Sequence, residues 1–154
     1  MNSDYIEMIV PSKPEYLAVI RLAISGIANR MGYTYEEIED IKIAITEACT
    51  NVVFHAYDDD TEGLTKINCF VHDDRLEIIV IDQGKRFDTT LAQKKTRPVH
   101  SKASIENMKE GGLGLFLIEA LMDKVEIYGD DGVIVAMTKF LKRDEVRSDV
   151  SRVK

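Results

Sequence analysis

The chain has 154 residues, of which 45% are hydrophobic and 31% are charged, and this length and composition are typical of one globular domain. Its formal net charge of −7 argues against nucleic acid as a direct partner, because binding to a phosphate backbone requires positive charge. No run of 18 apolar residues is present and the N-terminus lacks the pattern of a signal peptide, so we expect neither a membrane span nor membrane binding.

The first predicted elements are a strand and a helix. Residues Tyr5 to Val10 alternate between apolar and polar side chains, which predicts a strand at an edge of the sheet. The segment Ser12 to Glu15 has the pattern of a capping box with proline in the first turn. The spacing predicts a helix from Pro14 to Met31 that ends at Gly32. Its inward positions are Tyr16, Leu17, Ile20, Ile24, Ile27 and Ala28.

The second predicted helix is longer. A capping box at Thr34 to Glu37 predicts its beginning, and the apolar period continues to about Ala56 or Tyr57. This helix carries Cys49, and the following strand carries Cys69. Two isolated cysteines indicate buried, reduced thiols in a cytoplasmic protein rather than a disulfide framework or a zinc site. The apolar stripe of the helix consists of Ile38, Ile41, Ile45, Ala48 and Val52.

Two strands follow, joined by a hairpin turn at Asp73-Asp74. The first runs from Leu64 to His72 with Ile67, Cys69 and Val71 on one face. The second runs from Arg75 to Asp82 and is apolar on both faces, which predicts a central strand covered by helices on at least one side.

The remaining chain begins with an irregular segment, Gln83 to Gly111, which is long enough to indicate a functional loop. A helix is predicted after Gly114, and its apolar positions are Phe116, Leu117, Ala120 and Leu121. Two strands, at 124–128 and 133–140, close the domain.

This order of elements predicts an α+β fold: a two-layer sandwich in which a mixed, mostly antiparallel sheet carries its helices on one face. We expect one domain over residues 1–142 and a frayed, charged tail over 143–154. The chain lacks the sequence motifs of a Rossmann dinucleotide site, a P-loop or an EF-hand, and its three histidines have no metal-ligand spacing.

The first candidate site residues are Glu47 and Asn51, which lie on one face of the long helix because they are four residues apart. An asparagine oxygen suits Mg²⁺, and a glutamate can act as a base toward a hydroxyl group. Asp82 and Gly84 follow the central strand, where the carboxylate could accept a hydrogen bond from an exocyclic amine and the glycine leaves room for a ring. Taken alone, Glu47 and Asn51 fit a solvated helix flank better than a site, and Asp82 and Gly84 also fit an ordinary turn.

The second group of candidates surrounds Gly111, Gly112 and Gly114, where three glycines in four residues precede a predicted helix. Backbone N–H groups at a helix N-terminus bind anions, so this segment predicts a phosphate cradle beneath a loop that acts as a lid. Lys109 stands before it and offers positive charge. Thr138, on the last strand, presents a hydroxyl on the same face as Ala136 and Phe140, although a strand threonine bonded to backbone is common.

The order of these motifs resembles the Bergerat-type ATP-binding fold of the gyrase, Hsp90, histidine-kinase and MutL superfamily. The matching boxes are Glu47 to Asn51, Asp82 to Gly84 and Gly112 to Gly114. Within that superfamily, the strings EACTNVVFHAY, GGLGLFLIEALMD and VAMTK are most similar to the small bacterial anti-sigma factors that are also serine-protein kinases.

The resemblance implies ATP and Mg²⁺ as cofactors. It implies that Asn51 holds the metal, that Glu47 is the base toward a serine hydroxyl, and that Asp82 binds the adenine amine while Gly84 gives it room. Thr138 would support the adenine site. The segment implied to bind the phosphates comprises Lys109, Gly111, Gly112, Leu113, Gly114 and Leu115, and Arg97 and Lys102 are further candidates for the phosphate charge.

The resemblance also implies partners: a sigma factor of the sigma-B type that is sequestered, an anti-anti-sigma protein whose serine is phosphorylated, and a second copy of the chain in a homodimer, for which the first strand is the candidate surface. Two alternatives stay open. One is a nucleotide-binding interaction module without phosphate transfer. The other is a detached histidine-kinase catalytic domain, which would need a separate helical domain carrying a phosphoacceptor histidine.

Overall fold

The structure of the protein is a computed structural model that describes residues 3–57, 63–82, 109–128 and 134–142, with side chains except those of 52–57 and 109–113. The elements in chain order are β1 (Asp4–Pro11), a short 3-10 helix (Pro14–Tyr16), α1 (Leu17–Met31), α2 (Tyr35–Tyr57), β2 (Leu64–Val71), β3 (Arg75–Asp82), α3 (Lys109–Leu121), β4 (Lys124–Tyr128) and β5 (Ile134–Phe140). None of the helices in the described ranges is long and apolar enough to cross a membrane.

The five strands form one sheet in the order β1-β2-β3-β5-β4, and each of the four described pairings is antiparallel. The predicted mostly antiparallel sheet is therefore confirmed, as are the edge position of β1 and the central position of β3. β2 pairs with β3 and β4 pairs with β5 as hairpins, whereas the 3-10 helix, α1 and α2 separate β1 from β2 in the chain, and β5 inserts between β3 and β4.

The core lies between one face of the sheet and the helices. Burial alternates along β3, where Leu76, Ile78 and Val80 are buried and the residues between them are half-buried. The two cross-strand partners of Ile78, Cys69 and Met137, are buried as well. Because side chains alternate across a strand, all these residues point to the same layer of helices. The expected two-layer α+β sandwich is thus confirmed, with α2 packed on both β2 and β3.

The helix boundaries confirm one predicted capping box and correct the other. The Thr34 backbone N–H donates to Glu37 Oε1 at 2.9 Å, and the Glu37 N–H donates to Thr34 Oγ1 at 3.2 Å. This reciprocal pair is the capping box expected at the start of α2. Gly32 ends α1 in the left-handed conformation at φ 100°, also as predicted. Ser12, in contrast, caps no helix, because its buried hydroxyl bonds Thr65 instead.

The third helix differs from its prediction in position and in orientation. It begins at Lys109, five residues before Gly114, so the end of the segment expected to be irregular is helical. Its buried residues are Leu115, Ile118 and Met122, the last just beyond its end, whereas Phe116 and Leu117 are exposed. Because almost every residue here is apolar, the sequence offers several possible stripes, and packing against α2 and β4 selects one.

Candidate nucleotide-binding site

Four polar or charged side chains are buried within the described ranges: Ser12, Asn51, Thr65 and Asp82. Three of them meet at the end of the sheet where β3 finishes, since Thr65 is the cross-strand partner of Asp82 and shares a hydrogen bond with Ser12. Burying polar side chains is costly, and they are rarely found in a core unless they are hydrogen-bonded or serve a function, so this group at one end of the core is a candidate binding site.

Asp82 lies at the end of β3 with only 6% of its surface exposed. Asp82 is two residues from Val80 and four from Ile78, so its side chain points to the same face as theirs, towards the helices. The sequence predicted an acid at the end of a central strand, and the structure adds that its side chain faces the helix layer. Gly84 lies outside the described residues.

Lys139 shows how α2 and α3 lie relative to each other. Its Nζ donates to the carbonyl oxygen of Leu121 at 2.6 Å and lies 4.0 Å from Asp40 Oδ2. Seven residues further along α2 is Glu47, and seven residues back along α3 is Gly114; these two are again in contact. Equal steps of about 10 Å along both helices mean that α2 and α3 pack as antiparallel neighbours.

The contact between Glu47 and Gly114 is close. A Cβ atom placed on Gly114 would lie 2.8 Å from Glu47 Oε2, a distance that no real Cβ atom tolerates. Only glycine at this position lets the backbone of α3 approach the carboxylate so nearly. The carboxylate of α2 and the glycine segment of α3, two of the sequence-based candidates, are therefore in contact.

Asn51 lies one turn beyond Glu47, level with the first turn of α3 according to the same antiparallel spacing. It is 8% exposed, and its Nδ2 atom is buried without a hydrogen-bond partner among the residues described. The first N–H groups of any helix also lack partners within the helix, which for α3 are those of Lys109 to Gly112. The Asn51 amide and these N–H groups thus lie at the same level of the site.

Asp82 lies towards the same end of the domain as Asn51. Leu76 is the cross-strand partner of Lys139, which lies near Asp40, so the starts of α2 and β3 coincide. From Asp40 to Asn51 is about 16 Å of helix, and from Leu76 to Asp82 is about 20 Å of strand. The amide on α2 and the acid on β3 therefore lie towards the same end of the two layers.

The glycine segment is helical rather than an open loop. Gly111, Gly112, Leu113 and Gly114 all lie within α3, so the expected cradle that precedes the helix is replaced by the first turns of the helix itself. Lys109 is the first residue of that helix, and its side chain lies outside the description, as does that of Leu113. Leu115 is 1% exposed and belongs to the hydrophobic core, so its side chain does not face the site.

The structure places Thr138 away from the other candidate site residues. It alternates with the buried Met137 on β5 and pairs with Glu77, so it lies on the face of the sheet opposite the helices. Glu77 is five residues from Asp82 along β3, which is roughly 16 Å. The inference failed because alternation along one strand does not reveal which of its two faces is covered. Arg97 and Lys102 lie outside the described residues.

Sequence reasoning missed Ser12 and Thr65. A signal for Thr65 was present, since it alternates with Ile67 and Cys69 and so falls on the predicted inward face of β2. No local pattern pointed to Ser12, whose partner is 53 residues away in sequence.

Comparison with known proteins decides the family. Residues 10–139 match the histidine kinase-like ATPase domain family, a span that includes every described residue of the site. The chain belongs to the histidine kinase-like ATPase family. In this member of the family, the two-layer fold carries Glu47 and Asn51 on α2 and Asp82 at the end of β3.

Several named proteins are similar to this chain over almost its whole length. The chain is 55% identical over 150 residues to the serine-protein kinase RsbW of Halalkalibacterium halodurans, a match that covers 97% of this chain and 91% of that protein. It is 51% identical to the serine-protein kinase RsbW of Bacillus subtilis, covering 97% and 94%. The protein of the same name from Oceanobacillus iheyensis is 48% identical, covering 99% and 96%.

The described residues fit the nucleotide that this ATPase family uses. The buried Asn51 Nδ2 has no hydrogen-bond partner among the described residues, and turning the amide by 180° exchanges this nitrogen for an oxygen that a hard cation accepts. The neighbouring Cys49 does not take part, because burial raises the pKa of its thiol to about 12 and keeps it protonated.

Proposed function

We propose that the chain is a protein-serine kinase that transfers the γ-phosphate of ATP to a serine of an anti-anti-sigma protein, and an anti-sigma factor that sequesters a sigma factor of the sigma-B type. The observation that carries the proposal is the contact of Glu47 with Gly114, one helical turn from the buried Asn51 amide, whose Nδ2 has no hydrogen-bond partner among the described residues. The named relatives, all serine-protein kinases, support the choice of serine as acceptor.

In this proposal the adenine end of ATP lies at Asp82, whose carboxylate accepts a hydrogen bond from the exocyclic amine. Gly84 leaves space for the ring. The phosphates lie at the start of α3, where N–H groups that have no partner within the helix and the positive end of the helix favour negative charge. Asn51 contributes an oxygen ligand for Mg²⁺, which neutralises phosphate charge when bound.

Glu47 serves as the base. Its carboxylate lies one turn from Asn51 on the same face of α2, so a serine hydroxyl that reaches the terminal phosphate also reaches this carboxylate. The half-buried position of Glu47 keeps it accessible to a protein substrate. Taking the hydroxyl proton makes the serine oxygen a stronger nucleophile, and positioning supplies much of the remaining rate enhancement in phosphoryl transfer.

The partner proteins compete in this proposal. Phosphorylation of the anti-anti-sigma protein weakens its hold on the kinase, which then binds the sigma factor, and dephosphorylation reverses the exchange. The active form is a homodimer in the cytoplasm, in which residues 1–142 form the single domain. Light scattering of the purified chain tests the dimer directly.

The decisive experiment compares Glu47→Ala with the wild type in transfer of γ-labelled phosphate from Mg-ATP to the purified anti-anti-sigma protein. We expect loss of transfer by at least two orders of magnitude, with sigma-factor and nucleotide binding nearly unchanged. Glu36→Gln, an exposed acid in the first turn of the same helix, is the matched control and should transfer at the wild-type rate.

The form of the label separates the alternatives. Acid-stable phosphoserine on the anti-anti-sigma protein supports the kinase, whereas acid-labile phosphohistidine supports a histidine-kinase domain. If the wild type binds Mg-ATP and both partners but transfers no label, the chain is a nucleotide-dependent interaction module. If Glu47→Ala transfers phosphate at the wild-type rate, Glu47 is not the base.

A further inference from the structure

A pair of buried hydroxyl groups lies beside Asp82. Ser12 Oγ and Thr65 Oγ1 are 2.7 Å apart, and the two residues are 7% and 1% exposed. Ser12 is fixed from a second side, because its backbone N–H donates to the carbonyl oxygen of Gly63 at 3.0 Å. The pair therefore joins the end of β1 to the start of β2 in a fixed geometry.

Thr65 is directly opposite Asp82 in the antiparallel pairing of β2 with β3. Both side chains face the helix layer, since Thr65 alternates with the buried Ile67 and Asp82 with the buried Val80. Opposite residues in such a pairing have Cβ atoms roughly 4.5–5.5 Å apart, which brings a threonine hydroxyl within hydrogen-bonding reach of an aspartate carboxylate.

Two hydroxyl groups contain two hydrogen atoms, and their mutual bond uses one. Buried hydroxyl hydrogens are almost always donated to an acceptor. If Ser12 donates to Thr65, the hydrogen of Thr65 is available to the carboxylate opposite it. A carboxylate has two oxygens and about four acceptor positions, so it can accept from Thr65 and still present its other oxygen to a ligand.

We propose that Thr65, held by Ser12, positions the Asp82 carboxylate so that it selects adenine over guanine. This inference rests on the proposed role of Asp82 in binding the base. Adenine places an amine donor opposite the carboxylate, whereas guanine places a carbonyl oxygen there, which a fixed acceptor repels. A carboxylate that is free to rotate away discriminates less between the two bases.

β5, the neighbour of β3 on the other side, offers no hydroxyl group to Asp82 among its described residues. On β5, the residue opposite Ile81 is the apolar Ile134, and the threonine of that strand, Thr138, lies on the other face and near the far end of β3. The side of Asp82 that faces β2 therefore contains the polar support.

The test is calorimetric titration of the full chain with Mg-ATP and, separately, Mg-GTP. Thr65→Val keeps the shape of the side chain and removes the hydroxyl, and we expect roughly tenfold weaker ATP binding and a smaller preference for ATP over GTP. Thr65→Ser restores the hydroxyl and should bind ATP within about twofold of the wild type. Ser12→Ala should give an intermediate loss of roughly threefold.

Thr138→Val is the matched control, because it removes a strand hydroxyl from the opposite face, and it should change neither nucleotide affinity. Thermal unfolding of each variant without nucleotide separates positioning from stability. Unchanged affinity and selectivity in Thr65→Val would overturn the inference, as would equal losses for ATP and GTP that follow a lower unfolding temperature. Absence of ATP binding by the wild type would instead remove the proposed function.

Discussion

Glu47 and Gly114 come closer than any side chain at position 114 would allow: a Cβ atom there would lie 2.8 Å from Glu47 Oε2. The two residues are 67 positions apart in sequence, and they meet because α2 and α3 run antiparallel from a common contact at Lys139. The absence of a side chain at Gly114 therefore leaves room for the Glu47 carboxylate.

The contact predicts that Gly114→Ala separates stability from activity. Alanine favours a helix interior over glycine by up to about 1 kcal/mol, and the displaced atom is the end of a flexible side chain, so the free energy of unfolding should stay equal or rise. Phosphate transfer should fall at least tenfold because Glu47 must move. Denaturant unfolding and a transfer assay measure the two effects.

Gly26→Ala is the control for this experiment. Gly26 lies in α1, and nothing lies within 4 Å of a Cβ placed there. This variant should be more stable by up to about 1 kcal/mol and should transfer phosphate at the wild-type rate. Wild-type transfer by Gly114→Ala would show that Glu47 need not hold the position seen in the structure.

The unpaired amide of Asn51 predicts a variant that is stable but unable to bind Mg-nucleotide. Replacing a buried polar group that lacks a partner with an apolar one of similar shape is neutral or stabilising, so Asn51→Leu should unfold at the same or a higher temperature than the wild type. It should lose the extra thermal stability that Mg-ATP confers on the wild type. Thermal unfolding with and without Mg-ATP measures both.

Asn68→Leu is the corresponding control. Asn68 Oδ1 is also buried without a partner in the described part of the chain, but the residue alternates with Ile67 and so lies on the open face of β2. It should retain the full stabilisation by Mg-ATP. The assignment of Asn51 to the metal fails if Asn51→Leu is stabilised by Mg-ATP as strongly as the wild type.

The capping box of α2 predicts a loss of stability that leaves the site chemistry intact. Thr34→Ala removes the oxygen that accepts from the Glu37 N–H and should lower the free energy of unfolding by about 1 kcal/mol. Glu37→Gln retains an oxygen for the Thr34 N–H and should cost less. Denaturant titration measures these differences, and equal stability of all three proteins would contradict the capping geometry.

The buried thiols predict a dependence on pH at the alkaline end. Burial raises the pKa of Cys49 and of Cys69 from 9.0 to about 12. The unfolded chain therefore loses these protons at lower pH than the folded chain does, so the stabilising contribution is complete below about pH 9 and declines as the pH rises towards 12. Unfolding midpoints of Cys49→Ala/Cys69→Ala across this range should vary less than those of the wild type.

A labelling experiment checks the same burial near neutral pH. At pH 8 neither thiol of the folded chain should react with a disulfide reagent, because the thiolate is the reactive form and both side chains are fully buried. In denaturant both should react stoichiometrically. Rapid labelling of the folded protein would show that the core opens around these residues.

Local patterns in the sequence determined much of this protein: the strands β1 to β5, the long helix with its capping box at Thr34, and the shared face of Glu47 and Asn51. These features depend on side-chain periods of 2 or 3.6 residues and on hydrogen bonds between near neighbours, so the sequence alone contains the necessary information.

Only the tertiary structure decided the rest. It placed Thr138 on the open face, began α3 at Lys109, brought Gly114 to Glu47, and gave Ser12 a partner in Thr65 instead of a helix to cap. Each of these depends on which elements pack together and in what register. That choice is made by burial of apolar surface across the whole core, which no short stretch of sequence specifies.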